Sequence, residues 1–368
     1  MAKKALYLAG GGARGAYQVG VLKAIDHILQ TKKIPFDIVS GVSVGSINAA
    51  ILTENADDFP EAINKLETLW QNIQCQDIFY ASNYELSKTI FFNASRLFIR
   101  RKRNGYLLDT SPFQTFINKH VDFEKIQGQI DKGTLETLEI ITYCYETQQT
   151  ISFYEHGSPS FEDWFYPRHM SQRTSIQMEH LLGSTALPIF FPTVKIENMH
   201  LGDGSMGLIS PLRGPIRFES QRILILGTRP PPLFHPMSQH PQTIGITNIL
   251  GGLLNNLFLD TLDRDIEMVN RMNDISRLLS LWKKRQSPWR PVQTLHLRPS
   301  KNVGSIAYDH YQDMPTLLRF MLNRLGAKNH SGDLLSFLLF EKGFACELID
   351  LGYHDTLGQE ASLIEFFS

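Results

Sequence analysis

Short apolar runs alternate with amphipathic stretches along the first fifty residues of the 368-residue chain. Residues 4–9 (KALYLA) are an apolar run that stops in glycine, as a buried strand does. From Arg14 to about Leu29, Ala16, Val19, Val21, Leu22, Ile25 and Ile28 recur at roughly helical spacing. Residues 36–41 predict a second strand and residues 44–52 a second helix. Strand, glycine turn, helix, strand, tight turn, helix is the opening of a parallel α/β sheet. The right-handed crossover rule then sets both turns at the same carboxyl edge, where two loops can build one site.

Further along, residues 59–130 read as mostly helical, and residues 137–155 as two strands around Thr147-Gln148-Gln149. A helix over 175–184, ended by Pro188, precedes strands over 194–201 and 221–227. The stretch 229–241 holds five prolines and predicts a linker. Beyond it come a long helix near 243–281, a strand near 293–298 and helical patterns from 315 onward. The predicted organisation is one α/β catalytic domain over residues 1–230 and a mainly helical extension over 231–368.

Composition narrows the function classes. Hydrophobic residues make up 42% and charged residues 20%, enough for a packed core. Lys+Arg at 36 against Asp+Glu at 37 leaves a net charge of −1, without the basic excess of a nucleic-acid binder. Cys75, Cys144 and Cys346 are widely spaced and odd in number, so neither a disulfide framework nor a zinc site follows. The apolar run after Lys3 and Lys4 is too short for a signal peptide, and no stretch reaches about 18 apolar residues. A cytoplasmic protein without a membrane span, metal or cofactor is expected.

Three motifs carry chemistry. Gly10-Gly11-Gly12-Ala13-Arg14-Gly15 joins a strand to a helix. It fits a dinucleotide fingerprint, but the second strand ends in Gly41-Val42-Ser43 instead of the acid that fingerprint needs. What it offers is a set of backbone N–H groups at a helix N-terminus, suited to phosphate or to a developing oxyanion. Gly41-Val42-Ser43-Val44-Gly45 is a GxSxG where strand turns into helix, the setting that projects a nucleophilic serine. Asp203-Gly204-Ser205 follows the strand at 194–201, and a nucleophilic serine needs such a base. Of the twelve histidines, His235 and His240 lie in the proline-rich stretch and His296 in or near a strand, none in an obvious post-strand loop.

Taken together, these motifs resemble the patatin-like phospholipase family. The glycine hexapeptide, the GxSxG some 30 residues later and the downstream Asp-Gly stand in the family's order. HLLGSTALPIFFPTV (180–194) is similar to the segment before the family's aspartate. Residues 259–273, 295–307 and 334–355 look like the C-terminal extension of a bacterial subgroup. The resemblance implies a three-layer α/β fold with a mainly parallel sheet. It also implies a Ser–Asp dyad of Ser43 and Asp203, with the N–H groups of Gly10, Gly11 and Gly12 as oxyanion hole. Gly15, Gly41, Gly45 and Gly204 would shape the backbone, and Arg14 would orient the loop or meet substrate phosphate. Ser205 departs from the family's usual glycine or alanine; a positive φ there would strain it.

The implied reaction is hydrolysis of fatty acyl esters, phospholipids foremost. A soluble carboxylesterase, thioesterase or acyltransferase on the same dyad is the enzymatic alternative, and a non-catalytic lipid- or protein-binding module the other. Phe91, Phe92 and Phe98 beside Arg100, Arg101, Lys102 and Arg103 suit contact with an anionic lipid surface. The competing reading is a core helix ending in solvated cations. The extension is the candidate surface for a homo-oligomer.

Overall fold

The computed structural model describes residues 2–80, 106–231, 246–287, 289–316, 318–320 and 332–368. The opening follows the predicted order: β1 (Lys4–Leu8), a 3-10 turn over Gly12–Gly15, α1 (Ala16–Leu29), β2 (Ile38–Val42) and α2 (Val44–Glu54). Then come α3 (Phe59–Asn72), α4 (Cys75–Ile78), α5 (Ser111–His120) and α6 (Phe123–Asp131). Local chemistry sets these boundaries. Asp58 and Asp122 cap α3 and α6 by accepting the N–H groups of Glu61 and Lys125. Residues 91–103, including the aromatic and basic cluster assigned to lipid contact, lie outside the described residues.

The predicted hairpin is β3 (Thr137–Cys144) and β4 (Gln149–His156), paired antiparallel. It is followed by β5 (Phe165–Tyr166), β6 (His169–Arg173) and α7 (Met178–Ser184). The single strand expected over 194–201 is instead a small hairpin, β7 (Val194–Ile196) and β8 (Met199–Asp203). Glu197 turns it with a positive φ of 51°, and Asp203 becomes the last residue of a strand. Next are α8 (Arg213–Arg217), β9 (Arg222–Leu226), α9 (Ile246–Leu278), α10 (Leu281–Gln286) and β10 (Gln293–Leu297). The chain ends in α11 (Val303–Asp309), α12 (Gly332–Leu338), α13 (Lys342–Leu357) and α14 (Glu360–Phe367).

The sheet order is β10-β9-β1-β2-β3-β4-β6-β5, with β8 on the end of β3 and β7 on β8. β10, β9, β1, β2 and β3 are all parallel. Helices cover both faces. Leu22, Leu66, Leu348 and Phe366 belong to the core on one side, Tyr7, Phe218, Leu262 and Val269 to the core on the other. This is the mixed α/β, three-layer architecture expected. Among the described residues no helix is long and apolar enough to cross a membrane.

Residues beyond 231 are woven into this body. β10 extends the parallel sheet, pairing Leu297 with Leu226. α13 crosses α1 at a spacing only glycine permits. A Cβ on Gly20 would stand 1.9 Å from the Ile349 carbonyl oxygen, and one on Gly352 2.2 Å from that of Tyr17.

Candidate active site

Strand register brings the three motifs together. β1 and β2 run side by side with Leu8 opposite Gly41, so the glycine loop and Ser43 leave the same sheet edge from adjacent strands. β2 pairs with β3, Val42 opposite Ile141. β8 returns along the protruding end of β3 and stops with Asp203 opposite Thr142. Val42, the residue before Ser43, and Asp203 thus lie opposite two consecutive β3 residues, Ile141 and Thr142.

Ser43 has φ 53° and ψ −130°, a conformation that costs a non-glycine residue on the order of 1–3 kcal/mol. The surroundings enforce it. Its N–H donates to Ser184 Oγ at 2.9 Å, and Ser184 in turn donates to the Ile141 carbonyl at 2.6 Å. Its own carbonyl accepts the Ser46 N–H and hydroxyl. The flanking glycines are sterically required: a Cβ on Gly45 would stand 2.2 Å from the Leu8 carbonyl oxygen. The elbow points a 5% exposed serine into the site.

Asp203 is fully buried, and burial pushes its carboxyl up to about 7. The Ser43 hydroxyl is the first group opposing that rise, followed by the N–H and hydroxyl of Ser205. Oδ1 accepts the Ser205 N–H at 3.0 Å, whereas Oδ2 has no aligned partner among the described residues. Asp203 and Ser43 are therefore near neighbours without an aligned hydrogen bond between them, an arrangement common before substrate enters. Ser205 is absent from the positive-φ residues, so the expected strain at that position does not arise. Gly204 has no room for a Cβ, which would stand 2.2 Å from the Ile141 carbonyl oxygen.

The glycine loop is held from several sides. Thr228, just past β9, donates to the Gly10 carbonyl at 2.5 Å. Gln18 donates to the Ala9 carbonyl at 2.8 Å and accepts from Asn48, which also reaches the Gly15 carbonyl and accepts the Trp70 indole N–H. Gly12, at φ 57°, lies against the Phe337 carbonyl of α12. Such a turn entering a helix directs N–H groups that have no intrahelical acceptor.

Arg14 is turned into contacts with α12. It is 1% exposed, its Nε donates to Ser336 Oγ at 2.8 Å, and its guanidinium reaches the Asp333 carbonyl at 3.2 Å and carboxylate at 3.3 Å. The guanidinium also lies 4.1 Å from the centre of the Phe337 ring. Burial lowers its pKa to about 10, opposed by Asp333, so it stays charged at neutral pH. Of the two roles the sequence left open, the geometry supports loop orientation.

Ser43 and Gly12 line one narrow apolar slot with about 40 Å³ of free space, walled by Ile47, Trp70, Phe116, Leu187, Phe337 and Phe340 among others. A wider, solvent-open groove between α3 and α5 contains neither Ser43 nor Gly12. His169 and His180 are buried and His296 is half-buried, and desolvation lowers their pKa values to about 3, 4 and 4. They belong to structural contacts: His169 pairs with Ser152, and His180 caps α7 and packs on Phe153. On the other face of the sheet, fully buried Glu139 accepts the Ser40 hydroxyl at 2.5 Å, and burial raises its carboxyl to about 7.

Sequence reasoning missed Ser184, Thr228, the Gln18–Asn48–Trp70 chain and the two phenylalanines. Thr228 alone had a usable signal, a small polar residue directly after a parallel strand at the functional edge.

Residues 6–214 match the family model described as patatin-like phospholipase. Lysophospholipase nte1 of Aspergillus terreus is 34% identical over 95 residues, 23% of this chain and 6% of that protein. Patatin-like phospholipase domain-containing protein ZK370.4 of Caenorhabditis elegans is 37% identical over 103 residues, 26% of this chain and 7% of that protein. The chain thus spans less than a tenth of the length of these curated relatives. Among solved structures, VipD from Legionella pneumophila aligns with 98% of this chain and 67% of its own, at 11% identity and a TM-score of 0.43. With more than half of its length inside the family model, the chain belongs to the patatin-like phospholipase family.

Proposed function

We propose that the protein is a serine lipid acyl hydrolase working through Ser43 and Asp203. The observation that carries this reading is a buried carboxyl raised to about 7 beside a strained serine that opens into an apolar slot. A carboxylate with an ordinary pKa near 4 is a weak base toward a hydroxyl; one near 7 is matched to neutral pH.

In the forward step, Ser43 Oγ attacks the ester carbonyl and its proton passes to Asp203. N–H groups of the Gly10–Gly12 loop stabilise the oxyanion, typically worth about 10² to 10³ in rate per donor. The C–O bond to the alcohol breaks as Asp203 returns the proton to the leaving oxygen. Water then attacks the acyl-serine, giving its proton to Asp203 and from there to Ser43, and the fatty acid departs.

The family, and the lysophospholipase activity for which its relatives are named, support a lipid ester as substrate. The apolar lining of the slot supports a hydrocarbon group on the acyl side of that ester. Docking to the lipid surface is assigned to Phe91, Phe92, Phe98 and the 100–103 basic run, on sequence grounds. The test is fatty acid release from lysophospholipid micelles, mixed phospholipid vesicles and a short soluble ester, for wild type beside Ser43→Ala. Release from lipid that depends on Ser43 upholds the reading. Activity confined to the soluble ester favours an esterase, and no activity on any of them leaves the binding module.

A further inference from the structure

The slot at Ser43 has walls from two distant parts of the chain. Leu69 and Trp70 on α3 come from the stretch the family model matches; Phe337 and Phe340 come from far beyond it. Phe337, in the last turn of α12, lies against the glycine loop, its carbonyl filling the space a Gly12 side chain would take and its ring under Arg14. Phe340 stands further along. It is 7% exposed and stacks on Trp70, centroids 6.4 Å apart and planes 22° from parallel. The segment between them is tied down on the opposite side, where the Cys75 thiol donates to the Leu338 carbonyl at 3.6 Å.

Resting on the acyl-hydrolase reading, we propose that Phe340 is a specificity-determining residue: it sets the length of fatty acyl chain the slot accepts. Phe337 is bound up with the loop geometry, so changing it disturbs Gly12 and Arg14 together. The ring of Phe340 stacks on Trp70 of α3, so changing it alters the width of the slot while the Phe337 contacts to Gly12 and Arg14 stay in place; Asn48 still accepts the Trp70 indole N–H. The substrate moiety is a hydrocarbon tail, because Ile47, Leu69, Ile73 and Ile78 line the slot along with the two rings. In such a pocket a methylene gained or lost changes kcat/KM by roughly tenfold or more.

The experiment measures kcat/KM on p-nitrophenyl butyrate, octanoate and palmitate for wild type, Phe340→Ala, Phe340→Leu and Phe340→Trp, with Ser43→Ala as blank. Smaller residues are expected to raise the palmitate-to-butyrate ratio by about tenfold, and tryptophan to lower it by a similar factor. Thermal melts establish which variants are folded; if Phe340→Ala is not, the leucine and tryptophan variants carry the comparison. Folded variants that keep the wild-type ratio overturn the assignment while leaving the acyl-hydrolase reading intact. A wild type that cleaves none of the esters in a Ser43-dependent way overturns that reading, and the assignment with it.

Discussion

Ser184 Oγ accepts the backbone N–H of Ser43 at 2.9 Å while donating to the Ile141 carbonyl at 2.6 Å. One hydroxyl thus joins α7, β3 and the elbow of the proposed nucleophile, and holds a residue whose φ of 53° is unfavourable by itself. Ser184→Ala leaves a buried N–H and a carbonyl without that partner, an expected loss of about 2 kcal/mol in stability. Because the elbow relaxes, kcat should fall at least tenfold with KM changed less. Denaturant melts and steady-state kinetics on one soluble ester check both; an intact kcat removes Ser184 from the positioning of Ser43.

Ser43→Ala and Asp203→Asn should each abolish most turnover, and the double variant should be no worse than either, because the pair acts as a unit. Multiplying losses in a single-turnover assay would separate their roles.

The raised Asp203 carboxyl fixes the pH response. Activity needs the carboxylate, so kcat/KM should rise with pH through an acid limb near 7. Stability runs the other way: the folded state keeps a proton that the unfolded chain releases above about 4, so wild type loses stability as pH rises toward 7. In Asp203→Asn that contribution disappears. A rate limb below pH 5 would mean that Asp203 is ordinarily ionised.

Arg14 gives a contrast between a buried cation and its half-exposed partner. Arg14→Ala removes the contacts to Ser336, Asp333 and the Phe337 ring, and should destabilise the fold by roughly 3 kcal/mol. Arg14→Lys should recover little, since an ammonium cannot reproduce the fork or the stacking. Asp333→Asn, with its side chain 52% exposed, should change stability by about 1 kcal/mol or less. Equal losses at the two positions in urea melts would contradict this ranking.

Glu139 makes a separate prediction about stability. Its carboxyl is raised to about 7 by burial, eased by Ser152 and Ser40, while neighbouring His169 stays neutral over the same range. The folded protein retains the proton that the unfolded chain loses above about 4.5, so this group lowers stability progressively as pH rises to 7. Glu139→Gln removes that dependence. Its melting temperature relative to wild type should therefore improve between about pH 5 and 8; a constant difference would show Glu139 charged in the fold.

Local pattern was enough for the edge of the sheet that matters. The apolar runs at 4–9 and 36–41, each ending in glycine, place Gly10–Gly12 and Ser43 beside one another through the crossover rule alone. Asp203 was legible as a residue, yet its proximity to Ser43 depends on β8 pairing backwards along β3, a register no local pattern encodes. Ser184 and Gln18 escaped notice because a serine or glutamine inside a helix reads as solvated until tertiary contacts bury it. The role of 332–340 escaped for a stronger reason. Its partners, Arg14 and Gly12, are more than 300 residues away in sequence, and only packing reveals the pairing.

The glycine-to-glycine crossing of α1 and α13 bears on how the protein is made. A ribosome releases the chain from the amino end, so Ser43, the glycine loop and Asp203 are all exposed to the cell before α12 and α13 exist. Until then Arg14 lacks its counter-charge, one wall of the slot is missing and the outer face of α1 is bare. A nascent chain in that state has the proposed site residues without their arrangement. The proposed site is therefore complete only once residues 332–357 have been synthesised and folded back onto α1.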